Sequence, residues 1–308
     1  MTSSPLPKVN ITHPGAEPQN NTIGMAAMAG AMICLIGSDA LVKLVSERLP
    51  LGEILFVRGA LMLIAMVPAV IMLGAWRPLS TVLAPAFRWR LIGEVSAVIF
   101  YFAALFRLPL ADVNALIQFA PIATMMAVAI LFREPVGWRR WSAAGVGLIG
   151  VLAIIGPGTE TFSPYALLVL VAVVGIAIRD IATREMDRSL PGLYIAFITA
   201  LAITLLGVAH LPFEQWSWPV RNDLLALGFS GGFLLGAYML MVVALRRGEI
   251  SVVSPFRFTK MIWAIAIGYL VWGEVPGPLA SFGFVLVMAA GLFIFFRERA
   301  LEKSAARA

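Results

Sequence analysis

Charge is scarce in this chain. Only 13% of its 308 residues are Asp, Glu, Lys or Arg, and 60% are apolar. Soluble domains carry about 25% charged and about 45–50% apolar residues. A water-soluble fold of this length has too little interior to hide so much apolar surface, so a lipid bilayer is the implied solvent. Cysteine is nearly absent. Cys34 stands alone in an apolar run, which excludes an intramolecular disulfide and a cysteine metal site and leaves a small buried hydrophobe. The only histidines are His13 and His210. No H-E-x-x-H pair and no phosphate-binding G-x-x-x-x-G-K-[ST] loop occurs, which argues against a zinc peptidase and an ATP-driven pump. Gly228-Phe229-Ser230-Gly231-Gly232 matches G-x-S-x-G, but that motif needs a strand-to-helix elbow and a histidine base. The chain is therefore expected to be neither an enzyme nor a metal protein, and no cofactor is expected.

What is there is a series of long apolar runs. A bilayer core takes about 20 mostly apolar residues per helix. Ten segments qualify: 23–45, 51–74, 91–107, 110–132, 142–157, 163–184, 191–210, 224–245, 250–272 and 278–297. Trp76, Trp89, Trp138, Trp141, Trp216, Trp218 and Trp272 fall near segment ends, where amphipathic rings favour the interface. Residues 1–22 are rich in Pro, Asn, Ser and Thr and read as a disordered tail rather than a signal peptide. Residues 298–308 read as a second tail.

The net charge of +6 would suggest nucleic acid in a soluble protein. Here its placement has another cause, and no nucleic-acid partner is expected. With ten spans both termini share one side. That side collects most of the bases, among them Arg88, Arg90, Arg133, Arg139, Arg140, Arg246 and Arg247, whereas the other has only Lys43, Arg48, Arg107 and Arg221. The positive side is cytoplasmic, which predicts a multi-pass protein of the inner (plasma) membrane with both termini inside.

The chain also partly repeats itself. Asp39, Lys43, Leu49 and Pro50 fall on Asp180, Arg184, Leu190 and Pro191, and Ala104, Leu105, Val113 and Glu134 on Ala244, Leu245, Val253 and Glu274. A unit of five helices is odd, so its second copy enters the membrane inverted. The loop bases follow: Arg133, Arg139 and Arg140 after segment four have no basic counterpart in residues 273–278 after segment nine. The fold class expected is all-α and integral to the membrane, ten helices arranged as two inverted five-helix repeats at 23–157 and 163–297. Inverted repeats frame alternating access around a site where the repeats meet.

Several stretches carry a family resemblance: Ser38-Asp39-Ala40-Leu41-Val42-Lys43, Pro109 through Val113, Arg133 through Trp141, and Val253-Ser254-Pro255-Phe256-Arg257 through Pro276. They resemble the drug/metabolite transporter superfamily, in the group with two EamA-type repeats. Within it they are similar to the branch of bacterial riboflavin and S-adenosylmethionine uptake transporters. The resemblance implies a secondary transporter for a small organic solute, with riboflavin-like uptake favoured and export of amino acids or drugs as the alternative.

Ionisable groups inside spans are costly and therefore mark candidate sites. Asp39 and Lys43, like Asp180 and Arg184, lie four apart on one helical face. Each pair is either an intrahelical ion pair or a gate, where repeat-related carboxylates could couple transport to a proton gradient. On segment nine, Phe256, Lys260 and Trp263 share a face with Arg257 at its margin. Cations beside aromatic planes suit a planar or anionic solute, unless Lys260 is bridged internally to Asp39, Glu94 or Asp180. On segment four, Asn114 and Gln118 form a polar stripe with Pro121 that either lines a cavity or bonds between helices. Arg58 is expected to pair with Glu53, and Glu134 and Glu274 to cap the helices that follow them. Gly228, Gly232 and Gly236 recur every four residues and are expected to admit close packing.

Overall fold

The computed structural model describes residues 20–133, 137–159, 162–187 and 189–305; among these there is no strand. Most of the expected 1–22 tail lies outside the described residues, as do Glu134 and Arg188. The helices are α1 (Asn21–Val45), α2 (Leu51–Met72), α3 (Pro85–Leu105), α4 (Leu110–Ile117), α5 (Ala120–Leu131), α6 (Trp138–Ile155), α7 (Tyr165–Arg184), α8 (Gly192–His210), α9 (Arg221–Arg247), α10 (Ile250–Val253), α11 (Thr259–Trp272) and α12 (Pro278–Ala305). Their ends follow local chemistry. The Asn20 side chain accepts from the Ile23 amide to start α1, and Pro85 begins α3 where its missing N–H costs nothing. Gly156 and Gly273 close α6 and α11 at φ 60° and 68°, a conformation that favours glycine.

By length and composition, eight stretches can cross a membrane: α1, α2, residues 110–131 (α4 with α5), α6, α7, α8, α9 and residues 278–297 of α12. The other two expected spans differ for physical reasons. α3 starts at Pro85, six residues before the expected edge, because Arg88 and Arg90 are helical rather than part of a loop. α11 has 14 residues because the segment before it is broken into α10 and a 3-10 helix, Ser254–Phe258. Pro255 supplies no amide for a helical bond to the residue four before it. Pro121 acts likewise on the expected fourth span, which divides at Gln118–Phe119 between α4 and α5. α6 begins at Trp138 rather than 142, and α12 runs on to Ala305, so part of the expected terminal tail is helical.

The helices pack in definite couples: α1 on α9, α3 on α7, α6 on α12 and α2 on α8, with α4 on α11, α5 on α7 and α1 on α11. Each of the four principal couples has a glycine from both partners at its closest approach: Gly24 with Gly248, Gly93 with Gly175, Gly150 with Gly283, and Gly52 with Gly207. A Cβ on Gly93 would stand 2.6 Å from the Gly175 carbonyl oxygen, and one on Gly175 2.8 Å from that of Gly93. Backbones meet there with no room for a methyl group. The expected glycine ladder on α9 does no such work. Gly232 has nothing within 4 Å, and Gly228 and Gly236 reach only Leu61 and Cys34 at that distance. Spacing alone could not distinguish a packed stripe from one facing open space.

Candidate functional site

Asp39 sits in the last third of α1 and is the centre of a cluster drawn from six helices. The Tyr101 hydroxyl of α3 donates to Asp39 Oδ2 at 2.7 Å, and Lys260 Nζ of α11 lies 3.4 Å from the same oxygen. Both charged side chains are covered, at 13% exposure for Asp39 and 16% for Lys260. Low polarizability around them strengthens each attraction relative to water. Asn114 is fully buried on α4 and donates to Leu110 O at 2.9 Å, with its Oδ1 3.4 Å from the Tyr101 hydroxyl. Beside Asp39, the buried Ser38 hydroxyl receives a bond from Arg58 at 2.9 Å and meets the Ser230 hydroxyl of α9 at 2.9 Å. Arg58 also lies over the Phe102 ring, 5.7 Å from its centroid.

Several expectations change here. Lys43 does not pair with Asp39, one turn away. It forms an ion pair with Glu274, donates to Leu108 O at 2.8 Å, and lies 4.8 Å over the Trp272 ring. Glu274 in turn accepts from the Leu110 amide at 2.7 Å, so it caps α4 rather than α12, the helix that follows it. Asp112 lies close by with a buried Oδ1 that has no hydrogen-bond partner. Arg58 points inward to Ser38 instead of pairing with Glu53, whose carboxylate accepts from the Ser217 amide at 3.0 Å. The pattern is common to all three. Lys43, Arg58 and Glu274 each find their partner on another helix or its end rather than along their own.

Asp180 is paired with its neighbour Arg179 at 2.8 Å, and Arg179 reaches Glu94 on α3 at 3.4 Å. Asp180 is thus held by Arg179, and Arg184 has an interaction of its own. Arg90 donates to Thr199 of α8 at 2.8 Å. This second ionic group therefore ties α3 to α7 and α8.

The expected face of Phe256, Lys260 and Trp263 is also altered, because Phe256 and Arg257 lie in the 3-10 turn and only Lys260 and Trp263 are on α11. Phe256 packs on the apolar patch of α1 and α9 that contains Met28 and Met32. Arg257 is exposed, and Gln118 Nε2 stands 3.5 Å from its carbonyl oxygen. Trp263 is partly buried with its Nε1 enclosed and without an acceptor. The structure thus brings Lys260, Asp39 and Asn114 together with Trp263 one turn on, and Trp263 packs against the same apolar patch as Phe256. Tyr101, Ser38 and Ser230 went unrecognised in the sequence. A hydroxyl in an apolar run is too common to stand out, and Ser230 drew notice only through an unrelated motif.

An apolar helical bundle, with eight membrane-length stretches and buried ion pairs between its helices, defines a multi-pass membrane protein of the solute-carrying kind. The chain belongs to the EamA-like transporter family of the drug/metabolite transporter superfamily, whose profile matches residues 22–156 and again 163–296. It is 24% identical over 182 residues to an S-adenosylmethionine uptake transporter of Rickettsia prowazekii (strain Madrid E), a match covering 58% of this chain and 60% of that protein. It is 27% identical over 277 residues to a pseudopaline exporter of Pseudomonas aeruginosa (strain UCBPP-PA14), covering 85% and 94%. It is 24% identical over 272 residues to a riboflavin transporter of Vibrio cholerae, covering 86% and 90%. A solved crystal structure, 19% identical, superposes with a TM-score of 0.59 over 92% of this chain and all of the other, and carries the fold alone.

Proposed function

We propose that the protein is a secondary transporter that moves a small organic metabolite across the bacterial inner membrane by alternating access, with ten crossings in two inverted repeats. The observation that carries this is the unequal setting of two repeat-related carboxylates. Asp39 is 13% exposed and held by Tyr101 and Lys260, whereas Asp180 is 41% exposed and, among the described residues, held by Arg179. In an alternating-access carrier the two halves exchange environments, so one member of each related pair is covered while the other is open. The helix couples support the same symmetry. Exchanging the first five segments for the second turns α1–α9 into α7–α3 and α1–α11 into α7–α5, and leaves α2–α8, α6–α12 and α4–α11 unchanged.

On this reading Asp39, Asp180, Lys43 and Arg184 serve gating or proton coupling, and Lys260, Trp263, Arg257, Gln118 and Asn114 line the solute path. Both termini are cytoplasmic. The relatives' names divide between uptake and export. The resemblance in sequence favours riboflavin-like uptake, while the charge of the site favours a different solute. The test is uptake by purified protein in proteoliposomes, with riboflavin, S-adenosylmethionine and amino acids as labelled solutes and with and without an imposed pH gradient. Failure of every solute to accumulate or exchange above protein-free vesicles counts against the reading.

A further inference from the structure

The cluster around Asp39 is not neutral. Asp39 supplies one negative charge, while Arg58 and Lys260 supply two positive ones. Arg58 is 9% exposed, and its Nε is buried with no acceptor. Trp263 Nε1, one turn beyond Lys260, is likewise buried with no acceptor. Arg257, a turn before Lys260, has no carboxylate within ion-pair distance among the described residues.

Asp39 Oδ2 and the two serine hydroxyls are meanwhile engaged. Asp39 Oδ2 receives Tyr101 and Lys260, and the Ser38 and Ser230 hydroxyls serve one another and Arg58. Two buried donors, Arg58 Nε and Trp263 Nε1, thus go unmatched, and positive charge exceeds negative by one. A buried cation lacking a counter-ion is strongly unfavourable, so the vacancy in chemical terms is for a single negative charge rich in acceptors.

We infer that the transported solute carries a carboxylate, which docks against the unused edge of the Arg58 guanidinium beside the Lys260–Asp39 pair and the Trp263 indole. The inference rests on the transporter reading of this same site. A carboxylate presents two coplanar oxygens to a guanidinium edge and forms charge-assisted bonds to it. An uncharged flavin would leave the excess charge in place. A cationic amine would add to it.

The test compares solutes that differ only in the carboxylate. Binding to detergent-purified protein is measured by calorimetry for S-adenosylmethionine against its decarboxylated analogue, L-histidine against histamine, and L-tryptophan against tryptamine, with riboflavin as the uncharged probe. In at least one pair the acid is expected to bind about tenfold or more tightly than its amine, the worth of a hydrogen bond to a charged group. That preference should be lost in Arg58→Gln and kept in Arg58→Lys. If Arg58→Gln fails to fold, the wild-type pairs alone decide. Amines or riboflavin binding as well as the acids, or no pair showing a preference, would overturn the inference. Riboflavin accumulation by proteoliposomes in that event would leave the transporter reading standing and remove only the carboxylate.

Discussion

Lys43 and Glu274 are 231 residues apart in sequence and form an ion pair that joins the end of α1 to the end of α11. The same two side chains hold the loop before α4, through Leu108 O and the Leu110 amide. Three helix ends from both halves of the chain are thereby tied at one point, with the Trp272 ring as a lid over the ammonium.

Removing one partner should therefore be worse than removing both. Glu274→Gln strands Lys43 at 10% exposure and weakens the cap on α4. It is expected to cost about 3 kcal/mol, near the lower bound for breaking a buried pair. Lys43→Met should cost a similar amount. The double variant Lys43→Met with Glu274→Gln should cost less than the two added together, because no charge is left unpaired. Thermal unfolding of the four proteins in one detergent measures this. Strictly additive losses would show that the pair contributes nothing as a pair.

Glycine gives a cleaner contrast. Gly175→Ala puts a methyl group 2.8 Å from a carbonyl oxygen of α3, against backbone that has no way to yield without separating α3 from α7. Gly232→Ala meets nothing within 4 Å and gains up to about 1 kcal/mol of helix propensity. The expectation is a large fall in melting temperature for the first and an equal or higher one for the second. The reverse order would mean that α9, and not the α3–α7 couple, is the tight seam.

These two cases show what was legible in the sequence. Apolar run length placed most helices to within a few residues, because bilayer thickness imposes a length that composition reveals directly. Trp placement and the arginines of residues 133–140 and 246–247 marked segment ends for similar reasons. Partnership across helices was legible only in part: a bridge from Lys260 to Asp39 was one of the alternatives the buried charges offered, and it is present. Asp39 and Lys43 read as an i,i+4 pair, since spacing along one helix is all that a single chain displays, yet each is satisfied by α11 or the turn beyond it. The glycines failed in the same way: a regular ladder on α9 drew attention, while Gly93 and Gly175 had no pattern to give them away. The breaks at Pro121 and Pro255 were visible as prolines, but the residues around Pro255 form a 3-10 turn rather than the continuous helix expected.

Topology can be checked without any substrate. Reporters fused after Arg140 and after Arg247 should both be cytoplasmic, and one inserted near Gly158 external, since the basic loops stay on the cytoplasmic side. Finding either arginine loop outside would remove the inverted arrangement.

Coupling is the most demanding prediction, because it must separate a proton carrier from a structural charge. Asp39 is covered and shared by Tyr101 and Lys260, so Asp39→Asn leaves Lys260 without its counter-ion, whereas Asp180→Asn leaves the half-buried Arg179 with Glu94 still 3.4 Å away. Stability alone should thus distinguish them. Asp39→Asn is expected to lower the melting temperature, by an amount corresponding to roughly 3–5 kcal/mol for a broken buried pair. Asp180→Asn should be nearly silent, because exposed pairs contribute about 0–1 kcal/mol. If these carboxylates carry the coupling proton, both changes should nonetheless abolish accumulation against a gradient and preserve exchange of solute between the two sides of a vesicle. The combination Asp39→Asn with Lys260→Met restores charge balance and should recover the melting temperature without recovering accumulation. Recovery of both would assign Asp39 to structure. Equal loss of accumulation and exchange in the well-folded Asp180→Asn protein would remove that residue from coupling.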